Sequence, residues 1–238
     1  MKIVVRKKIF NKLDPWDQKI ILKYNGFGGN ALTIFLKVLS FFGRETLWMF
    51  LIVYYLFIFY DPVLLSYISS VFLLGIIIIV PIKKHMNRDR PFESLEGIKV
   101  LERKPTSRSF PSWHAYNVVS QGLLLAFLLN SIVIVIPVLI FAVIVSFSRI
   151  QLGVHYPSDV ISGFLIGFVG FLLAVIIVAP IVMNIISFFE IATELPVYYQ
   201  MINPLLYQNI FYMILVIGLV LIIVILATYK RIKEIIKK

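Results

Sequence analysis

Long apolar runs separated by short polar clusters set the pattern of the chain, and the run lengths match bilayer thickness. From Met1 to Gly29, Lys and Asp alternate with large apolar residues, which predicts an amphipathic segment lying on a membrane surface. Ala31–Phe42 is apolar but short for a span, and Gly43-Arg44-Glu45 interrupts it, so a half-helix or interfacial helix is expected there. Thr46–Tyr60 and Pro62–Ile82 read as the first two spans, divided by Asp61-Pro62. After the polar loop Lys83–Ser112 come Trp113–Leu129 and Ile132–Phe147, a helical hairpin broken at Asn130-Ser131. Pro157–Met183 is the next span, Asn184–Tyr207 is less regular, and Gln208–Tyr229 is the last span before a basic tail. The fold class is therefore all-α: a multi-spanning membrane helical bundle of about six transmembrane helices, with an N-terminal amphipathic surface segment. Three regions follow: a surface segment at 1–30, a core at 31–182, and an extension at 183–238 with one further span.

Composition sharpens this picture. Hydrophobic residues make up 60% of the chain and charged ones 15%, and the mean hydropathy is +0.94, far too apolar for a soluble domain. Cysteine is absent, which excludes a disulfide framework, a thiolate metal site and a Cys nucleophile. Met1 to Leu13 lacks the apolar stretch of a secretory signal, so insertion is expected to rely on internal spans. The net charge of +11 raises nucleic acid as a partner, but the positions of the charges speak against it. Lys and Arg are confined to the chain up to Arg44, the Lys83–Arg108 loop, Arg149 and the tail, a distribution that suits anionic membrane lipids or a phosphate substrate.

Polar groups at membrane depth are costly, so clusters of them point to function. Three clusters stand at span edges: Lys83 through Pro91, Ser109 through His114, and Ser148-Arg149 followed by His155-Tyr156-Pro157-Ser158-Asp159. Span counting places all three on one membrane face, where they can converge. Arg90 and Arg149 offer planar forks for phosphate oxygens, and Lys83 adds a compact charge. Ser112 sits at an N-cap position, so the backbone amides of Trp113 and His114 would lie at the positive end of a helix, a natural phosphate cradle. Pro157 suits the first position of the next helix. Asp159, in its first turn, could accept from one ring nitrogen of His155 and leave the other lone pair available.

These motifs resemble those of the type 2 phosphatidic acid phosphatase (PAP2) superfamily. Lys83, six residues, then Arg90-Pro91 corresponds to the first motif; Pro111-Ser112-Trp113-His114 to the second; Ser148-Arg149, His155 and Asp159 to the third. The resemblance covers roughly Ala31 to Val182. It implies a lipid phosphatase in which His155 is the nucleophile and forms a phosphohistidine, Asp159 orients it, and His114 is the general acid and base. Lys83, Arg90, Ser112, the Trp113 backbone and Arg149 would bind phosphate, and no metal or other cofactor is needed. Trp113 departs from the usual Gly of the second motif; ordinary helical dihedrals at a first helical position would accommodate it.

Plainer roles are expected elsewhere. Lys7, Lys8, Lys84, Arg88, Arg108, Lys230 and Lys238 read as lipid-facing anchors, and His85 as an interhelical hydrogen-bond partner. Ser148 reads as structural, and Glu190 and Glu194 as solvated at an interface. The favoured substrate is a polyprenyl diphosphate, with phosphatidic acid and phosphatidylglycerol phosphate as competitors. A lipid phosphotransferase and a non-enzymatic transporter of anionic lipids are the rival classes; the partners implied are a lipid phosphate substrate and membrane lipids, with no nucleic acid. Positive charge near the catalytic loop argues for a cytoplasmic site, whereas the resemblance implies an extracytoplasmic one.

Overall fold

The computed structural model describes residues 2–193 and 197–236, and for 2–9, 11, 12 and 229–236 it gives the backbone alone. Glu194 and Lys238 lie outside the described residues, as do the side chains of Lys7, Lys8 and Lys230. The elements are helical: α1 (Lys2–Tyr24), α2 (Gly29–Ser40), a 3₁₀ turn (Phe41–Gly43), α3 (Glu45–Val53), α4 (Pro62–Met86), α5 (Pro91–Ser94), α6 (Trp113–Leu128), α7 (Ile132–Gln151), α8 (Pro157–Leu173), α9 (Ala179–Thr193), α10 (Leu205–Gln208) and α11 (Ile210–Ile236). A π-helical turn, Tyr54–Ile58, extends α3, and another, Ala174–Val178, joins α8 to α9.

Among the described residues four helical stretches are long and apolar enough to cross a bilayer: Pro62–Ser94, Ile132–Gln151, Pro157–Thr193 and Ile210–Thr228. The expected count of six is thus reached only by adding shorter elements. The stretch Glu45–Ile58 falls below span length, and α6 has 16 residues. The span beginning at Pro157 outruns its expected end at Met183, because apolar residues keep helical spacing as far as Thr193. Leu13–Tyr24 and Gly29–Gly43 are bent by 116° at an elbow of left-handed glycines, which gives Ala31–Phe42 its separate helix. The chain is an integral membrane protein.

The helices divide into two compact units, Met1–Arg44 with Leu73–Leu172, and Glu45–Phe72 with Leu173–Lys238. The first unit is built around α6, which is buried on almost every side from Ala115 to Ala126. Ser112 caps its start, its hydroxyl accepting from the Ala115 amide. Asn130 at φ 48 turns the chain back into α7, whose Ala142 and Val145 pack on Val118, Val119 and Leu123. Gly163 and Gly167 of α8 lie against the backbone of α6: a Cβ on Gly163 would strike the Ser112 carbonyl oxygen, and one on Gly167 would come within 2.8 Å of the Tyr116 oxygen. Absent side chains on α8 thus allow close approach to the start of α6.

In the second unit Asp61 caps α4, accepting from the Leu64 amide at 2.9 Å, which explains why a span begins at Pro62. Glu190 is half-buried and accepts from the Tyr60 hydroxyl at 2.5 Å, so the expectation of a solvated carboxylate there was wrong. The pair borders a cavity of about 440 Å³ that is otherwise lined mainly by Leu56, Leu65, Ile185 and Phe189.

Candidate active site

The site belongs to the first unit and starts with the link between α7 and α8. Gly153 ends α7 at φ +76, and a side chain there would collide with the Lys99 carbonyl and the Asn25 amide, so the turn requires glycine. The amides of Val154 and His155 then both donate to the Arg149 carbonyl, at 3.1 and 3.2 Å. Pro157 opens α8 as expected, and the Asp159 carboxylate reaches back to accept from the Tyr156 amide at 2.9 Å. This local closure puts His155 Nδ1 3.5 Å from Asp159 Oδ2. Ser109 Oγ donates to the same Oδ2 at 2.5 Å.

The other ring nitrogen, His155 Nε2, lies 3.2 Å from Arg90 Nη1. A guanidinium can only donate, so Nε2 must present its lone pair, and the ring proton belongs on Nδ1, toward Asp159. His155 is 3% exposed. Burial and the positive charges of Arg90, Lys83 and Arg149 lower its pKa well below the ordinary histidine value. The buried ring is therefore held neutral, with a lone pair directed at a cation.

Each of the three motif cations is fastened by oxygen acceptors. Arg90 donates to the carbonyls of Ser107 and Val154, both at 2.7 Å. Lys83 lies in the last turn of α4, inside the helix and not in the loop, and donates to the Arg108 and Ser109 carbonyls at 2.7 and 3.2 Å. Arg149 donates to Ser40 Oγ at 2.6 Å, and its fork holds the Glu102 carboxylate through both oxygens. A carboxylate thus occupies the Arg149 fork where a phosphate oxygen was expected.

Arg88 was expected to be a lipid-facing anchor, and it is not. It is 7% exposed, lies between the rings of Phe10 and Tyr156, and donates to Asp17, Asp14, Ser158 and Asp159 at 2.7–2.9 Å. A stack of aromatic faces plus carboxylates supplies what lipid head groups would have given it. Breaking the buried pair with Asp17 or Asp159 costs about 3–5 kcal/mol, whereas the exposed Arg108–Asp89 pair is worth about 0–1 kcal/mol. His85 is exposed and has no side-chain hydrogen bond among the described residues, so its expected interhelical role is not found. Ser148 is structural, donating to the Val145 carbonyl.

The second motif opens α6. Ser112 spends its hydroxyl on the N-cap, and Trp113 is the first helical residue with no left-handed backbone, so the indole is accommodated there. His114 makes no side-chain hydrogen bond among the described residues; Arg149, Arg90 and His155 are among its charged and titratable neighbours. It sits over Gly43, where a Cβ would come within 2.9 Å of its Cβ and Cδ2.

The three motifs converge in order and spacing, and the PAP2 superfamily profile matches residues 63–183, half of the chain. The chain belongs to the PAP2 superfamily. It is a phosphatase, a hydrolase of phosphate esters. It is 35% identical over 149 residues to the undecaprenyl-diphosphatase of Sulfolobus acidocaldarius, covering 62% of this chain and 70% of that protein. It is 38% identical over 84 residues to a decaprenylphosphoryl-5-phosphoribose phosphatase of Mycolicibacterium smegmatis, covering 35% and 43%. Its fold is similar to that of Aquifex aeolicus LpxE (TM-score 0.58, 24% identity, 66% of this chain and 93% of that one). It is similar also to a transmembrane PAP2 phosphatidylglycerolphosphate phosphatase of Bacillus subtilis (TM-score 0.56, 24% identity, 73% and 90%).

Around the PAP2 motifs the structure gathers residues to which sequence reasoning gave no catalytic part. Ser109 stands inside a recognised cluster, but its bond to Asp159 needs the fold to be seen. Glu102, Ser40 and Gly43 carry no local signal. Asp17 carries a faint one: it is three residues from Asp14, and so on the same side of an otherwise basic helix.

Proposed function

We propose that this PAP2 phosphatase removes the terminal phosphate of a lipid carrier of the polyprenyl diphosphate class through a phosphohistidine on His155. The orientation of His155 carries the reading: Nδ1 meets Asp159 and the Nε2 lone pair faces Arg90. In the first step Nε2 bonds to phosphorus in line, the bond from phosphorus to the leaving oxygen breaks, and that oxygen takes a proton from His114. In the second, His114 takes a proton from water as the water oxygen bonds to phosphorus and the P–N bond breaks. Lys83, Arg90 and Arg149, with the amides at the start of α6, stabilise the charge spread over the equatorial oxygens. No step calls for a metal. Phosphate takes the place of Glu102 on the Arg149 fork, and Ser112 acts through the helix end that it caps.

The named activities of the two sequence relatives, both on polyprenyl carriers, support the substrate class. The site faces the extracytoplasmic side in this reading. Lys83, Arg88, Arg90 and Arg149 are buried in the site, so they do not act as the lipid-facing anchors on which the positive-inside rule rests. The deciding experiment is phosphate release by the detergent-purified protein from a long-chain polyprenyl diphosphate in excess EDTA, beside His155→Ala. Release by the wild type alone is expected. Equal release by both proteins overturns the nucleophile, and none by the wild type overturns the substrate class.

A further inference from the structure

The residue that ties the amphipathic helix α1 to the chemistry is Asp17. Its carboxylate is fully buried and accepts three hydrogen bonds: Oδ1 from the Ser158 amide at 2.8 Å, and Oδ2 from Arg88 Nη2 at 2.7 Å and Ser158 Oγ at 2.5 Å. Both partners lead to one place. Ser158 precedes Asp159 in the first turn of α8, and the other arm of Arg88 donates to Asp159 Oδ1 at 2.7 Å and to Ser158 Oγ at 2.8 Å. The opposite oxygen of Asp159 is the one that faces His155 Nδ1. Asp17 therefore grips the orienting carboxylate from its backbone side and, through Arg88, from its side-chain side.

We propose that Asp17 is a positioning residue for the nucleophile, holding Arg88 and the first turn of α8 so that Asp159 meets His155 Nδ1; this rests on His155 being the nucleophile. Residue 17 lies outside the stretch 63–183 that matches the superfamily, so α1 is a working part of this enzyme and more than a membrane rest. Asp14 makes a contrast on the same helix. It also reaches Arg88, at 2.9 Å, but its side chain is 38% exposed and, unlike Asp17, it makes no bond of its own to Ser158 of α8.

An amide at position 17 keeps the acceptor for the Ser158 amide but turns N–H groups toward Arg88, a donor facing a donor. The phosphate cations are left in place. Asp17→Asn should therefore lower kcat by about 10–100-fold, the usual effect of losing such a supporting partner, with KM within about twofold. Asp14→Asn should stay within about twofold of the wild type in both constants. Arg88→Lys keeps the charge and loses the fork, so it should repeat the kcat loss and decides the matter if Asp17→Asn fails to fold. His155→Ala is measured alongside. Wild-type kcat in Asp17→Asn, or in Arg88→Lys should the first not fold, overturns the proposal. So does an equal loss in Asp14→Asn, which would make the net charge around Arg88 the cause. Activity surviving in His155→Ala instead overturns the nucleophile reading beneath it.

Discussion

At the scale of single residues, protonation governs His155. Its lone pair on Nε2 exists only in the neutral ring, and burial with three nearby cations pushes the pKa well below the ordinary value of about 6.5. A lowered histidine pKa means that more acid is needed to charge the ring, so activity is retained as pH falls through the normal histidine range. The kcat/KM profile should show no acidic limb at or above about 6.5, leaving only the break from the substrate's own second ionisation near about 6. An enzyme limb at 6.5 or higher would contradict the neutral, cation-facing ring. The same buried ring explains why Asp159 must be held by so many donors: Ser109, the Tyr156 amide and Arg88 fix its two oxygens, so only one direction toward Nδ1 is left.

At the scale of helices, the proposed histidine chemistry depends on how closely α8 lies against the start of α6. His155 and Asp159 come with α8, while Ser112 and His114 come with α6, and Gly163 is the point of contact at the Ser112 carbonyl. Gly163→Ala must push these helix ends apart, because backbone and not a flexible side chain stands in the way. A displacement of about 1 Å at a reacting centre costs on the order of 10²-fold in rate, and kcat for Gly163→Ala should fall by about that much. Gly218 of α11 has nothing within 4 Å of a built Cβ, so Gly218→Ala should leave kcat unchanged and serves as the control. Equal rates in both variants would remove the helix contact from the mechanism. Apolar patterning marks α8 as a span, yet it does not reveal that one side of it is bare of side chains because a neighbour's backbone lies there.

For the molecule as a whole, the proposed extracytoplasmic site makes a prediction about labelling from outside. The chain has no cysteine, so a single one can report it. Glu96 is exposed in the loop that carries Glu102 and Ser109. In sealed cells Glu96→Cys should react with a membrane-impermeant maleimide from outside; labelling only after the membrane is opened would place the site in the cytoplasm. Merely counting charge overstates the topological signal of the basic loop, since its arginines at 88 and 90 are buried among carboxylates and carbonyls.

Periodicity and composition by themselves determined an all-helical membrane protein, the turn at Asn130, the starts of α4, α6 and α8, and three polar clusters with phosphate chemistry. Those features are local: caps, proline positions and apolar run lengths act within a few residues, so they can be read along a line. Where α6 falls short of span length, run length was a poor guide, because burial within the bundle and not bilayer thickness sets how far such a helix must be apolar. The pairings were decided only by the tertiary structure. Arg88 looks like any juxtamembrane arginine until Asp17, 71 residues earlier, meets it, and Arg149 looks open until Glu102 fills its fork. A buried charge takes its meaning from its partner, and partners far apart in sequence are chosen by packing.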